Sequence, residues 1–195
     1  MVTTGSRPGS RIRTATAASL IALLLGGCGG ASTTSGGGSD GADGSASSTS
    51  SLGCSDVAGA SARIQARINL LRTQARQCGD TRFAAAGALS WSSTLASAAQ
   101  AHASDMAGSN YFDHVGLDGS TPASRARRAG YASDQVSENI GAGYTSAEAA
   151  LQGWLASAGH CSNLMNANVQ DVALACTPSS TARYGSYWVL MLGQR

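Results

Sequence analysis

The stretch Tyr187-Trp188-Val189-Leu190-Met191-Leu192, close to the end of this 195-residue chain, is apolar on both alternations. In a strand, successive side chains point to opposite faces, so a strand with one wet face alternates apolar and polar residues. This one does not alternate, and both of its faces must be covered. The run containing this stretch extends from Tyr184 to Leu192, and upstream Val169 to Cys176 is a second run of β-branched and apolar residues, joined to it by Thr177-Pro178-Ser179-Ser180-Thr181-Ala182-Arg183. Two such runs around turn-forming residues predict an antiparallel hairpin.

The cover is legible further upstream. Ile64, Ile68, Leu71, Ala75 and Cys78 fall on one helical stripe, with Arg63, Arg67, Arg72 and Arg76 elsewhere, which predicts an amphipathic helix ending near Gly79. A second helix is expected over 92–109, with Leu95, Ala98, Ala99, His102 and Met106 on one face and Ser92 or Ser93 as its cap. Thr121-Pro122 opens a short third helix ending at Gly130. A fourth, over 147–157, buries Leu151, Trp154 and Leu155. Helices on each side of a small, mainly antiparallel sheet make an α+β fold, a three-layer α-β-α sandwich. Trp91, Trp154 and Trp188 are expected in its core, and His102 is expected to pack as a structural residue.

The N-terminus has a different composition. Arg7, Arg11 and Arg13 precede an apolar run from Ala15 to Leu25, and no acidic residue occurs before Asp40. A short apolar run behind a basic start reads as a secretory signal, being well short of the ~20 residues of a spanning helix. It ends in Leu25-Gly26-Gly27-Cys28, which resembles the bacterial lipobox, so residues 1–27 are expected to be cleaved and Cys28 lipidated. Bacterial lipoproteins carry two or three acyl chains, enough for stable anchoring. Residues 29–53 are almost wholly Gly, Ser, Ala, Thr and Asp. They predict a flexible tether of roughly 25–30 Å root-mean-square span, with the globular domain over 54–195. Gly37-Gly38-Ser39-Asp40-Gly41 matches a nucleophile-elbow pattern but has no strand before it and no helix after it.

The net charge of +2 belongs largely to the signal. Without it, ten arginines face eleven acidic residues, about −1, which gives no electrostatic basis for nucleic-acid binding. The domain keeps four cysteines, Cys54, Cys78, Cys161 and Cys176, an even number in an exported chain, which favours disulfides. Of the three possible pairings, Cys54–Cys78 with Cys161–Cys176 closes short local loops and is the expected one. A loop of about 15 residues is worth ~3 kcal/mol in the chain-entropy model. A Cys/His metal site at His160-Cys161 is the alternative, without the CxxC spacing of structural zinc sites.

Few residues can carry chemistry. The domain has three histidines, His102, His114 and His160, and two glutamates, Glu138 and Glu148. His114 follows the second predicted helix, Glu138 opens a short extended stretch, and His160 follows the fourth helix. Each lies at an element's edge, where side chains can converge on a cleft. Asp105 and Arg125 read as a structural ion pair or caps, and Glu148 as a helix N-terminal residue favoured by the dipole.

At these residues the chain resembles a known family. Leu89-Ser90-Trp91, Ala101-His102-Ala103-Ser104-Asp105-Met106, Phe112-Asp113-His114, Arg125 with Ala129-Gly130-Tyr131, Ser137-Glu138-Asn139-Ile140, Trp154 with Gly159-His160-Cys161-Ser162-Asn163-Leu164-Met165, and Tyr187-Trp188 occur in that order. The series is similar to the bacterial branch of the CAP superfamily, named for cysteine-rich secretory proteins, antigen 5 and pathogenesis-related 1. The resemblance implies an α-β-α sandwich and a cleft built from His114, Glu138 and His160, able to take a divalent cation such as zinc on the two histidines. Eukaryotic members carry a second glutamate just before the second histidine; here that stretch offers only Ser157. The resemblance implies three functions: a non-enzymatic envelope module binding a small apolar (lipid-like) or peptidic ligand, a metal-assisted hydrolase with Glu138 as base, or a structural or adhesive surface protein. The expected location is the cell envelope, outer membrane or cell surface, with the membrane as partner through Cys28.

Overall fold

The computed structural model describes residues 51–195. The signal, Cys28 and nearly all of the tether lie outside the described residues. No helix among those described is long and apolar enough to cross a membrane.

A four-stranded sheet forms the middle layer, in the order β3 (Ser90–Trp91), β5 (Asp171–Pro178), β6 (Ser186–Gly193), β4 (Val136–Ala142). β5 and β6 are the expected hairpin, paired Asp171↔Gly193 through Pro178↔Ser186. β4 lies antiparallel on the far side of β6, while the two-residue β3 runs parallel to β5. Alternation along β6 divides the core. Trp188, Leu190 and Leu192 pack with α1 (Ser61–Arg72), α4 (Ala147–Ala156) and α5 (Ala158–Met165). Tyr187, Val189 and Met191 pack with α2 (Ser93–Ser109) and α3 (Pro122–Arg128). The α-β-α sandwich is therefore the fold, and β6 is covered on both sides.

Four expectations need correction. The first helix ends at Arg72, and Arg76–Cys78 (β1) instead pairs with Thr81–Phe83 (β2) around Gly79-Asp80. Gly79 has φ 60°, the left-handed backbone that a two-residue hairpin turn demands. His160 follows the fourth helix as expected, but a further helix begins there: Ser157 breaks the helical run, and His160 sits in the first turn of α5. The domain begins before Cys54. Leu52 is buried, its N–H donates to Glu148 Oε2 (3.0 Å) and its carbonyl accepts from Ala147 N–H (2.8 Å).

The disulfides are the fourth. Cys54 pairs with Cys176 and Cys78 with Cys161, across separations of 122 and 83 residues. The local pairs fail because a 3₁₀ turn, Cys54–Gly59, lies against β5, and the β1–β2 hairpin carries Cys78 to α5. In the chain-entropy model loops this long are worth roughly 4–5 kcal/mol each, more than the short ones.

Candidate functional site

Glu138 lies on the edge strand β4, on the same face as Ile140, which packs in the α2 layer. Its side chain is 1% exposed. A carboxylate this buried needs a counter-charge and hydrogen bonds. Arg125 Nη2 donates to Oε2 at 2.8 Å, and His114 Nδ1 bonds Oε1 at 2.9 Å. That contact raises the His114 pKa, more than burial lowers it. His102 Nε2 stands 3.9 Å from Oε1, but its hydrogen bond goes to the Asp113 carbonyl at 3.0 Å. Burial lowers the His102 pKa. His102 is thus the packed histidine the sequence suggests, and it also walls the glutamate.

Local signals place each partner. α2 stops at Asn110, whose left-handed φ of 53° turns the chain and whose Oδ1 accepts Arg183 N–H at 2.7 Å. The loop carrying His114 leaves from that fixed point. α3 starts at a Thr121–Ser124 capping box with Pro122 in its first turn. Arg125 also donates to the carbonyls of Ser120 (2.8 Å) and His114 (2.9 Å), so it holds the loop as well as the carboxylate. Arg125 does not form the expected pair with Asp105, which accepts from Tyr111 Oη at 2.5 Å instead. What the sequence does not show is the role of Arg125 as Glu138's principal cation. One signal could have found it: a glutamate in an apolar strand requires a buried cation, and the domain has no lysine.

His160 reaches the site from the other layer. Asn139, next to Glu138 and facing oppositely, donates to the His160 carbonyl at 3.0 Å and accepts from Asn163 Nδ2 at 2.8 Å. Burial, and then the charge of His114, lower the His160 pKa. The imidazole lines a cavity of about 340 Å³ with Phe112, Ile140, Tyr144 and Tyr184. Phe112 and Tyr184 meet edge to face at 5.9 Å. Gly141 and Gly153 leave room for the Tyr144 ring, which any Cβ at either position would strike.

The fold thus joins His114 to Glu138 directly and sets His160 in the neighbouring cavity. Among the described residues no three His, Cys, Asp or Glu side chains are arranged to hold one metal ion. Both Glu138 oxygens are engaged, so the donor set does not fit a zinc ion bound through that carboxylate.

The family model for CAP, the cysteine-rich secretory protein family, matches residues 65–192. The chain belongs to this family. Two Bacillus subtilis proteins are similar to this CAP chain. The uncharacterized protein YkwD is 30% identical over 95 residues, 49% of this chain and 35% of that protein. The uncharacterized membrane protein YlbC is 35% identical over 80 residues, 41% of this chain and 23% of that protein. The CAP chain therefore spans about a third or less of the curated relatives it matches. Among solved structures, an extracellular SCP-domain protein from Bacillus anthracis superposes with a TM-score of 0.59 at 24% identity, over 73% of this chain and 43% of that one. An outer surface protein from Borrelia burgdorferi superposes with a TM-score of 0.54 at 18% identity, over 69% of this chain and 88% of that one. These two share the CAP fold.

Proposed function

We propose that this CAP chain is a lipid-anchored, non-enzymatic module of the cell envelope that binds a small apolar or peptidic ligand in the cavity beside His160. Its two disulfides suit an oxidising compartment outside the cytoplasm, and the extracellular and outer-surface settings of its structural relatives point the same way. The lipid anchor rests on Leu25-Gly26-Gly27-Cys28.

The observation that carries the binding reading is the state of Glu138. A general base must reach a water within about 2.6–3.2 Å. Glu138 is buried, and a guanidinium and an imidazole hold its two oxygens. It ties α3 and the His114 loop to β4 and so shapes the cleft. The cavity next to it offers aromatic faces and one neutral imidazole, which suits apolar surface with a single polar anchor. Native mass spectrometry of the full chain, purified from its own envelope, tests this. The expected result is an apolar or peptidic molecule that co-purifies and is absent from Ser157→Phe, which fills the cavity wall. A chain that carries nothing, or a variant that keeps the ligand, defeats the reading. Hydrolytic turnover lost in Glu138→Gln would favour the metal-assisted hydrolase instead.

A further inference from the structure

The loop between α2 and α3 carries an apolar surface that the cleft does not account for. Among the described residues, the large hydrophobic side chains left exposed are Leu70, Phe112, Val115 and Leu117. Three of the four lie on this one loop, where Phe112 is 43%, Val115 49% and Leu117 70% exposed. Scattered apolar side chains on a surface are ordinary, whereas a cluster of them marks an interaction site.

The loop is fixed from within. His102 Nε2 bonds the Asp113 carbonyl at 3.0 Å, and Arg125 Nη2 donates to the His114 carbonyl at 2.9 Å. Val115 N–H donates to Asp113 Oδ1 at 2.8 Å, Gly116 N–H to the Ser120 carbonyl at 2.9 Å, and Ser120 N–H to Asp118 Oδ1 at 2.8 Å. Asp118 Oδ2 pairs with Arg128 at 3.0 Å. Much of the tip's backbone is thus paired inside the protein, and both of its carboxylates are engaged. An apolar medium tolerates a loop to the extent that its polar backbone is already paired. Three side chains are also far too few for a stable protein interface, which takes about 20–30 residues a side. A lipid surface needs no such complementary area.

The chain enters the domain at the same end of the sheet. Cys54 is bonded to Cys176 near the end of β5, and the loop starts after Asn110, which holds Arg183 in the β5–β6 connection. Residues 29–50 are all that separate Cys28 from the first described residue, a reach of at most ~80 Å. A linker of that length gives an effective concentration of roughly millimolar order. A contact too weak to hold a free protein then suffices for a tethered one.

We propose, resting on the lipid-anchor reading, that the 112–117 loop docks on the bilayer that carries the Cys28 anchor, with Phe112, Val115 and Leu117 entering the headgroup boundary. Asp113 and Asp118 beside these side chains disfavour a strongly anionic surface, so the lipid it fits is neutral overall. Phe112 also lines the cavity beside His160, and docking sets that wall against the lipid.

The test uses the lipidated chain purified from its own envelope, carrying Leu117→Trp and reconstituted in phosphatidylcholine vesicles. The acyl chains are brominated or not, and bromine quenches tryptophan on contact. Flotation reports the anchor, and quenching reports the docking. The chain should float with the vesicles, and brominated lipid should remove most of the emission that Leu117→Trp adds. It should spare the emission added by Leu70→Trp, on α1 in the opposite helical layer. Val115→Asp, combined with Leu117→Trp, should abolish the quenching and leave flotation intact. A chain that does not float overturns the anchor reading and the docking with it. A chain that floats with neither added tryptophan quenched, or with both quenched equally, overturns the docking alone. A blue shift that grows with protein density and ignores bromine would mean that a second copy covers the loop, and would overturn it too.

Discussion

At the scale of single residues, the three histidines differ in their surroundings, and their protonation should differ accordingly. His114 gains a hydrogen bond from its pairing with Glu138, so its pKa lies above the ordinary ~6.5. Its charged form stabilises the fold fully below pH ~6.5, and that contribution is lost as pH rises through the raised folded value. His102 and His160 behave oppositely, with pKa values lowered first of all by burial. Below pH ~6.5 the unfolded chain takes up protons that these two folded rings refuse, so acidification destabilises through them. Imidazole NMR titrations should therefore place His114 above, and His102 and His160 below, the free value. Glu138→Gln should bring His114 down towards or below ~6.5 while leaving Arg125 without its counter-charge. A His114 titration unmoved by that substitution would show that the pair does not exist in solution. Glu138 and both cleft histidines were legible as candidates in the sequence, whereas the ordering of their affinities for protons was not. For the histidines it depends on which ring bonds Glu138 and on burial, and no spacing along the chain encodes either.

At the scale of elements, the legible parts were those with a strong period. β6 is read from Tyr187 to Leu192 because alternation without polar residues has one structural solution, and α2 because Ser92 accepts Leu95 N–H ahead of a continuous apolar face. α1 was read too long. Ala75 and Cys78 keep the helical period, but Thr73 caps the helix, donating from Oγ1 to the Leu70 carbonyl at 2.8 Å, and Gly79-Asp80 turns a hairpin. Gly-Asp is a hairpin-turn pair that competes with the apolar stripe, and here the turn prevails. Arg72 was counted with the polar face of α1, yet it is 1% exposed. Its Nε donates to Gly87 O at 2.8 Å, and its Nη1 to Leu164 O at 2.6 Å and Asn166 O at 3.0 Å. It thereby fastens α1 to the segment before β3 and to the end of α5. Carbonyls of loops and helix ends are invisible to a periodicity argument, so this arginine could not be told from its solvated neighbours. Arg72→Met keeps most of the volume and removes those donors. We expect a loss of about 2–4 kcal/mol in chemical denaturation, from buried carbonyls left without partners. A loss below about 0.5 kcal/mol, the range of an ordinary surface change, would contradict this role.

At the scale of the whole molecule, both ends of the domain are tied into the sheet. Arg195 pairs with the buried Asp171 at the start of β5, and Tyr131 Oη donates to the same carboxylate at 2.9 Å. At the other end, Cys54 is bonded to Cys176 near the end of β5, and Leu52 fills a place in the core beside α4. Glu148, in the first turn of α4, is where the entering chain is held. Burial opposes its ionisation, but hydrogen bonds from Leu52 N–H, from its own backbone and from Ser51 outweigh that, and its pKa falls below the ordinary value. A carboxylate lowered in this way stabilises the fold above its unfolded pKa of ~4.3 and ceases to as pH falls through the folded value. The composition of 29–53 placed the boundary at Cys54 because a single leucine among Ser and Gly residues carries no periodic signal; burial against Ala147 and Glu148 moves it upstream. Two chains, one beginning at Ser51 and one at Cys54, test this. The shorter chain keeps both disulfides but loses the Leu52 side chain, worth about 1.5–3 kcal/mol when fully buried, and the two backbone ties to α4. For a domain of this size its melting temperature should be roughly 4–10 °C lower, and its stability should fall less steeply as pH drops below about 4.5, because Glu148 no longer gains from the Leu52 amide. Equal melting temperatures would show that Leu52 only rests on the domain, and would return the boundary to Cys54.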